Sequence, residues 1–144
     1  MSLPIAFWDS SALIPLCVSQ PQTPKAKSCY KSYGIVIWWA TPVEIISGLT
    51  RLQRMIHISQ LQFDRGKQQA DALAVSWDRV EPIPEIASSA FALLELYPLR
   101  AADALQLASA MEYFGPNHQG SVFVTADLRL ADAARQSGFS VEFL

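Results

Sequence analysis

The sequence predicts an α/β domain in three layers, with helices on both faces of a mainly parallel central sheet of roughly five strands. Three observations carry this. Short apolar stretches alternate along the chain with longer stretches of helical spacing. The clearest of the short stretches are apolar at successive positions, the pattern of strands covered on both faces rather than one. The chain has 144 residues, 51% of them hydrophobic, enough for one sizeable core and too few for two, so a single domain over 1–144 is expected.

Pro4 to Trp8 is the first strand, ending at Asp9-Ser10-Ser11, where helix-capping residues replace strand-filling ones. Ala12, Leu13, Leu16 and Cys17 follow with helical spacing, and the polar stretch from Ser19 to Lys27 suggests a surface turn and another helix. After Gly34, the run Ile35-Val36-Ile37-Trp38-Trp39 suits an inner strand. Thr41-Pro42-Val43-Glu44 opens the next helix with Thr at the N-cap, Pro at the first helical position and Glu completing a capping box. Its apolar face is expected along Val43, Ile46, Leu49, Leu52 or Gln53, and Ile56. Ser59 caps a more polar helix running from Gln60 toward Trp77. Val80 to Ile83, with Pro82 and Pro84 in or beside it, fits only an edge strand. Helices follow over Glu85 to Tyr97, stopped by Pro98, and over Ala101 to Phe114, ended by Gly115-Pro116-Asn117. Ser121 to Thr125 is a strand, Asp127 to Gln136 a helix closed by Gly138, and Ser140 to Leu144 a last short strand.

The formal charge of -2 gives no broad basic field, so any phosphate ligand must be held locally. Cys17 and Cys29 lack the spacing of a disulfide framework or a zinc knuckle. No positive residue precedes the first apolar stretch and Asp9 interrupts it, so no signal peptide is expected; a membrane span is not expected either, and the expected location is the cytoplasm.

A parallel sheet builds its sites at the carboxyl ends of its strands. Asp9 follows the first strand, Glu44 lies in the first turn after the Ile35 strand, and Asp127 follows the Val122 strand. The helix of Asp103 leads into the start of that last strand, which puts its own beginning at the same edge. Each acid alone is well explained as a cap or a first-turn partner of a helix dipole. Four acids converging from separate segments are not, because close carboxylates raise one another's pKa unless a cation is bound. Mg²⁺ or Mn²⁺ prefers such oxygen donors and activates water for phosphodiester cleavage, paired ions doing so about 3.5 to 4 Å apart.

Four stretches carry a family resemblance: Phe7-Trp8-Asp9-Ser10-Ser11-Ala12-Leu13, Pro42-Val43-Glu44-Ile45-Ile46-Ser47-Gly48-Leu49, Ala102-Asp103-Ala104-Leu105-Gln106-Leu107-Ala108-Ser109-Ala110 and Val124-Thr125-Ala126-Asp127. In content and order the chain resembles the PIN-domain ribonucleases, in particular the small VapC-type toxins of bacterial toxin-antitoxin pairs. The resemblance implies a PIN-like fold with Asp9, Glu44, Asp103 and Asp127 as metal-binding and catalytic residues. It further implies Mg²⁺ or Mn²⁺, an RNA substrate, a cognate antitoxin laid across the catalytic groove, and a homodimer.

Ser11 and Thr125 stand beside these acids and are candidates to hydrogen-bond a metal water or a phosphate, or simply to cap. Arg100 is a candidate phosphate contact, its alternative a salt bridge to a nearby acid. Asp132 reads equally well as a solvated helix residue and stays outside the set. Lys25, Lys27, Lys31, Arg51, Arg54, Arg65 and Lys67 are candidates for an RNA path, or for an ordinary charge-mixed surface.

The glycine patterns of nucleotide loops, dinucleotide folds and hydrolase elbows are absent. A haloacid-type phosphatase wants a second Asp where Ser11 stands, and a receiver domain wants paired acids there and a Lys at the last strand's end. Two alternatives stay open: a non-catalytic PIN-like module binding RNA or protein, and a housekeeping RNA-processing nuclease without antitoxin.

Overall fold

The computed structural model describes residues 2–144. Along the chain run β1 (Ile5–Trp8), α1 (Ser10–Cys17), α2 (Thr23–Ser32), β2 (Gly34–Trp38), α3 (Thr41–Arg54), α4 (Gln60–Ala74), β3 (Asp78–Val80), α5 (Pro84–Leu96), α6 (Ala101–Phe114), a 3-10 turn (Gly115–Asn117), β4 (Val122–Thr125), α7 (Leu128–Gln136) and β5 (Ser140–Phe143). The five strands form one sheet in the order β3-β2-β1-β4-β5, and every pairing is parallel. The expected three-layer α/β architecture is therefore the one observed.

Alternation along the strands divides the core in two. Phe7, Val36, Trp38 and Phe123 point to one face and pack with α5, α6 and α7 through Ile86, Leu107 and Leu130. Ala6, Trp8, Ile35, Ile37 and Val124 point to the other face, where α1 to α4 cover them through Leu13, Cys29, Ile45, Leu49 and Ala70. Burying both faces explains why β1, β2 and β4 are apolar up to Thr125, the residue that ends β4. The outer strands β3 and β5 are mixed, Asp-Arg-Val and Ser-Val-Glu-Phe, and sit at the two sheet edges, where polar residues discourage pairing with another chain. The chain leaves β1 toward β2 on one side and β4 toward β5 on the other. The switch point between β1 and β4 is where such sheets open a crevice.

Two sequence expectations for α3 are corrected. Ala40, not Thr41, is the N-cap, and it offers no side-chain cap. Thr41 is the first helical residue, fully buried, its hydroxyl taken by Gln106 Nε2 at 3.1 Å. Glu44 does not close a capping box, because its carboxylate also receives Gln106. The buried stripe is Thr41, Ile45 and Leu49, whereas Val43 and Ile46 are 69% and 40% exposed. The helix is rotated because Gly48 faces α1, where a Cβ would come within 2.3 Å of Ile14 Cδ1; the close approach of the two helices selects one of two overlapping apolar stripes. Ile56 lies beyond the helix, 88% exposed and left-handed at φ 59°. The N–H groups of Ile56 and His57 donate to the carbonyls of Gln53 and Leu52, a Schellman ending usually built with Gly. By contrast, Ser59 forms the expected cap of α4, completed by Gln62.

Candidate active site

Asp9 is the N-cap of α1 and lies almost wholly beneath the surface. Its Oδ1 accepts from Ser11 Oγ at 2.7 Å and from the Ala12 N–H at 3.3 Å, and its Oδ2 accepts from Thr125 Oγ1 at 3.1 Å. Ser11 Oγ in turn accepts from the Ala126 N–H at 2.9 Å, and Thr125 Oγ1 from the Asp127 N–H at 3.0 Å. The start of α1 is thereby stitched to the end of β4 across the switch point. Burial pushes the Asp9 carboxyl up to about 7; its three donors oppose the rise, and the Asp127 carboxylate adds to it.

Asp127 is the N-cap of α7, accepting from the Leu130 N–H at 3.0 Å. Asp103 stands in the first turn of α6, half-buried, and accepts from the Arg100 N–H at 3.4 Å. Its carboxyl is raised by burial and by Asp127, while Arg100 and Arg129 act against the rise. Glu44 reaches in from α3, pushed up to about 7 by burial and by Asp103 and restrained by Gln106. Each acid thus feels the next, in the sequence Asp9, Asp127, Asp103, Glu44.

Glu44, Asp103 and Asp127 line one open cavity of about 670 Å³, together with Ser11 and Arg100. Asp9 lies below it. The structure therefore brings together all four predicted acids, and places Ser11, Thr125 and Arg100 beside them. Asp132 is exposed and pairs with Arg135 at 3.3 Å, outside the cavity. Of the seven basic residues considered for an RNA path, only Arg51 lines this cavity. The others lie off it: Lys25, Lys27 and Lys31 on α2, Arg54 at the end of α3, and Arg65 and Lys67 on α4.

Two further residues stand at this site that the sequence did not single out. Gln106 is buried, donates to both Thr41 and Glu44, and keeps Oε1 without a partner. The signal was present: a polar side chain one turn after Asp103 in a run of Ala and Leu. Arg129, in the first turn of α7, also lines the cavity.

Among the described residues, no three acidic, His or Cys side chains are set closely enough around one point to grip an ion by themselves. The donor set still fits a hard divalent cation. All four groups are carboxylates, and their mutual repulsion is the kind a cation relieves. Mg²⁺ is commonly held by one or two carboxylates, with water and substrate phosphate completing its shell, and the cavity has room for both.

The model of the family described as PIN domain matches residues 6–136. Sequence comparison with curated proteins gives no match. Among solved structures, a toxin-antitoxin complex from Klebsiella pneumoniae is similar at 20% identity and a TM-score of 0.67, covering 94% of this chain and 95% of that one. PAE2754 from Pyrobaculum aerophilum is similar at 20% identity and a TM-score of 0.64, covering 96% and 89%. The Mycobacterium tuberculosis toxin VapC20, described as cleaving the sarcin-ricin loop, is similar at 16% identity and a TM-score of 0.64, covering 89% and 94%. At these identities the likeness is one of fold.

Proposed function

The chain belongs to the PIN-domain family, and we propose that it is a divalent-metal-dependent endoribonuclease, the toxin of a type II toxin-antitoxin pair. The observation that carries the reading is the gathering of four carboxylates at the sheet's switch point, Glu44, Asp103 and Asp127 lining one cavity and buried Asp9 tied to it through Ser11. Asp9, Glu44, Asp103 and Asp127 would hold Mg²⁺, or Mn²⁺, which supplies an acidified water and charge neutralisation at a phosphodiester. The protein's share is positioning. Ser11 and Thr125 hold Asp9 in one orientation, Gln106 holds Glu44 toward the cavity, and Arg100 stands where a charge-assisted contact to phosphate is available.

The toxin reading is supported by the likeness to the toxin-antitoxin complex from Klebsiella pneumoniae and to the Mycobacterium tuberculosis toxin VapC20. With it come, as proposals, an antitoxin partner, a homodimer and a cytoplasmic location. Exposed apolar side chains such as Phe91 and Leu96 on α5 offer surface for either protein partner. No helix among the described residues is long and apolar enough to cross a membrane.

The test is cleavage of single-stranded or loop RNA with Mg²⁺ or Mn²⁺. Asp9→Asn and Asp103→Asn are each expected to abolish it while circular dichroism stays that of the folded protein. Undiminished cutting by both variants, or in EDTA, sinks the proposal. Growth arrest on expression, relieved by the same substitutions, separates a toxin from a housekeeping nuclease.

A further inference from the structure

Seven of the protein's eleven basic residues are arginines, and three of these, Arg51, Arg100 and Arg129, come from three different helix ends to line the carboxylate cavity. None forms an ion pair with an acid there. The only ion pairs among the described residues are Lys67 with Asp64 and Arg135 with Asp132, both within single helices and away from the cavity. Cations beside acids they do not neutralise have donor capacity left for another anion. That all three are arginine matters, since a guanidinium offers a planar fork of donors matched to phosphate oxygens.

Their placement is not symmetric. Arg100 and Arg129 are close enough to Asp103 to lower its pKa, which puts them on the α6–α7 side. Arg51 is two turns along α3 from Glu44, on the opposite side. It also lines a second cavity of about 240 Å³, which shares Ser11, Ile14, Gly48 and Arg51 with the first and continues to Gln20 and Gln22. Gly48 and Ile14 line both, Ile14 packing where a Cβ at residue 48 would sit, so the α1–α3 contact forms a common wall of the two cavities.

We infer that Arg51 binds the phosphate adjacent to the one lying over the carboxylates, so that the second cavity is a subsite for the neighbouring nucleotide of a single RNA strand. The strand then runs from Gln20 and Gln22, past Arg51 and the four acids, to Arg100 and Arg129. Gln20 and Gln22 offer amides to a base or ribose, which suits a nucleotide better than a bare anion. This inference rests on the ribonuclease reading for the identity of the strand, and on the two cavities for its path.

The experiment uses the full chain carrying Asp9→Asn, so that RNA stays intact, and measures binding of a short fluorescent single-stranded RNA by anisotropy over a range of salt. Adding Arg51→Ala is expected to weaken binding about tenfold and to lower the salt slope by about 0.7, the share of one single-strand phosphate. Arg54→Ala, one turn further along α3 and outside both cavities, is the control and leaves both unchanged. The register is read with RNAs carrying one uncharged methylphosphonate at successive positions. Affinity drops at neighbouring positions, and Arg51→Ala abolishes the drop at one of them only. Equal effects of Arg51→Ala and Arg54→Ala, a position profile that ignores Arg51, or no RNA binding at low salt overturns the subsite. If the profile holds while the unmodified protein never cuts RNA, the nuclease reading falls and the subsite stands.

Discussion

The two ends of the carboxylate run are built differently. At the Asp9 end the carboxylate is buried, accepts three hydrogen bonds, and two of its donors are themselves tied to the backbone of the β4–α7 connection. At the Glu44 end the carboxylate is half-exposed and held by one amide. Asp103 is likewise held by a single long backbone contact. One end is an anchor of fixed geometry, and the other has fewer partners to hold it in place. Buried groups with several partners lose more when one partner is removed, because the remaining polar atoms have no water to turn to.

The largest expected effect therefore lies at the anchor. Thr125→Val keeps the shape but strips a donor from Asp9 and an acceptor from the Asp127 N–H. It is expected to cost about 10- to 100-fold in RNA cleavage or metal affinity and about 1–3 kcal/mol in stability. Gln106→Met, the matching change at the other end, is expected to cost less than tenfold, since water can replace the amide at Glu44. Cleavage rates and urea melts of the two variants, side by side, decide the point. A larger loss at Gln106 reverses the comparison.

A smaller effect follows from acidity. In the folded protein Asp9 and Glu44 hold their protons up to about 7, while in the unfolded chain they release them near 4. Between those values the folded state binds more protons, so stability is highest at the acidic end of the window and falls as pH rises through 7. For Asp9 alone the span corresponds to about 4 kcal/mol. Melting in EDTA is expected to give a lower Tm at pH 8 than at pH 5, with Asp9→Asn flattening the difference and Mg²⁺ restoring stability at pH 8. A metal-free protein that grows more stable from pH 5 to pH 8 contradicts the coupling.

The smallest effect belongs to a position far from both ends. Ile56 is branched, exposed and left-handed, so Ile56→Gly is expected to stabilise by about 0.5–1 kcal/mol and to leave cleavage untouched. A change in cleavage there means that the end of α3 communicates with Glu44, and the distinction between anchored and loosely held acids needs redrawing.

Much of this was legible without coordinates. Alternating strands and helices placed Asp9, Glu44, Asp103 and Asp127 at one sheet edge, and that topological step turned separate caps into a site. Ser11 and Thr125 were visible as neighbours in sequence of the acids they serve. What stayed hidden depends on long-range contacts. Thr41, Pro42 and Glu44 have the residues of a capping box, yet Gln106, 65 residues on from Thr41, takes the threonine hydroxyl. Local rules cannot see such a competitor. The stripe of α3 was misplaced for the same reason: two apolar faces overlap, and only the approach of α1 at Gly48 selects between them. The basic residues were the least legible, because a lysine on a solvated helix and an arginine lining a cavity look alike in sequence.

The stitch between Ser11 and Thr125 spans 114 residues of chain, and it has a consequence in time. Synthesis delivers Asp9 almost at once and Glu44 and Asp103 later, but the hydroxyl that aims Asp9, and Asp127 itself, arrive only with β4, the strand that fills the gap beside β1. Until then the emerging chain has three of its acids and no finished edge to mount them on. The edge that gathers the four acids can form only once β4 has emerged and paired with β1.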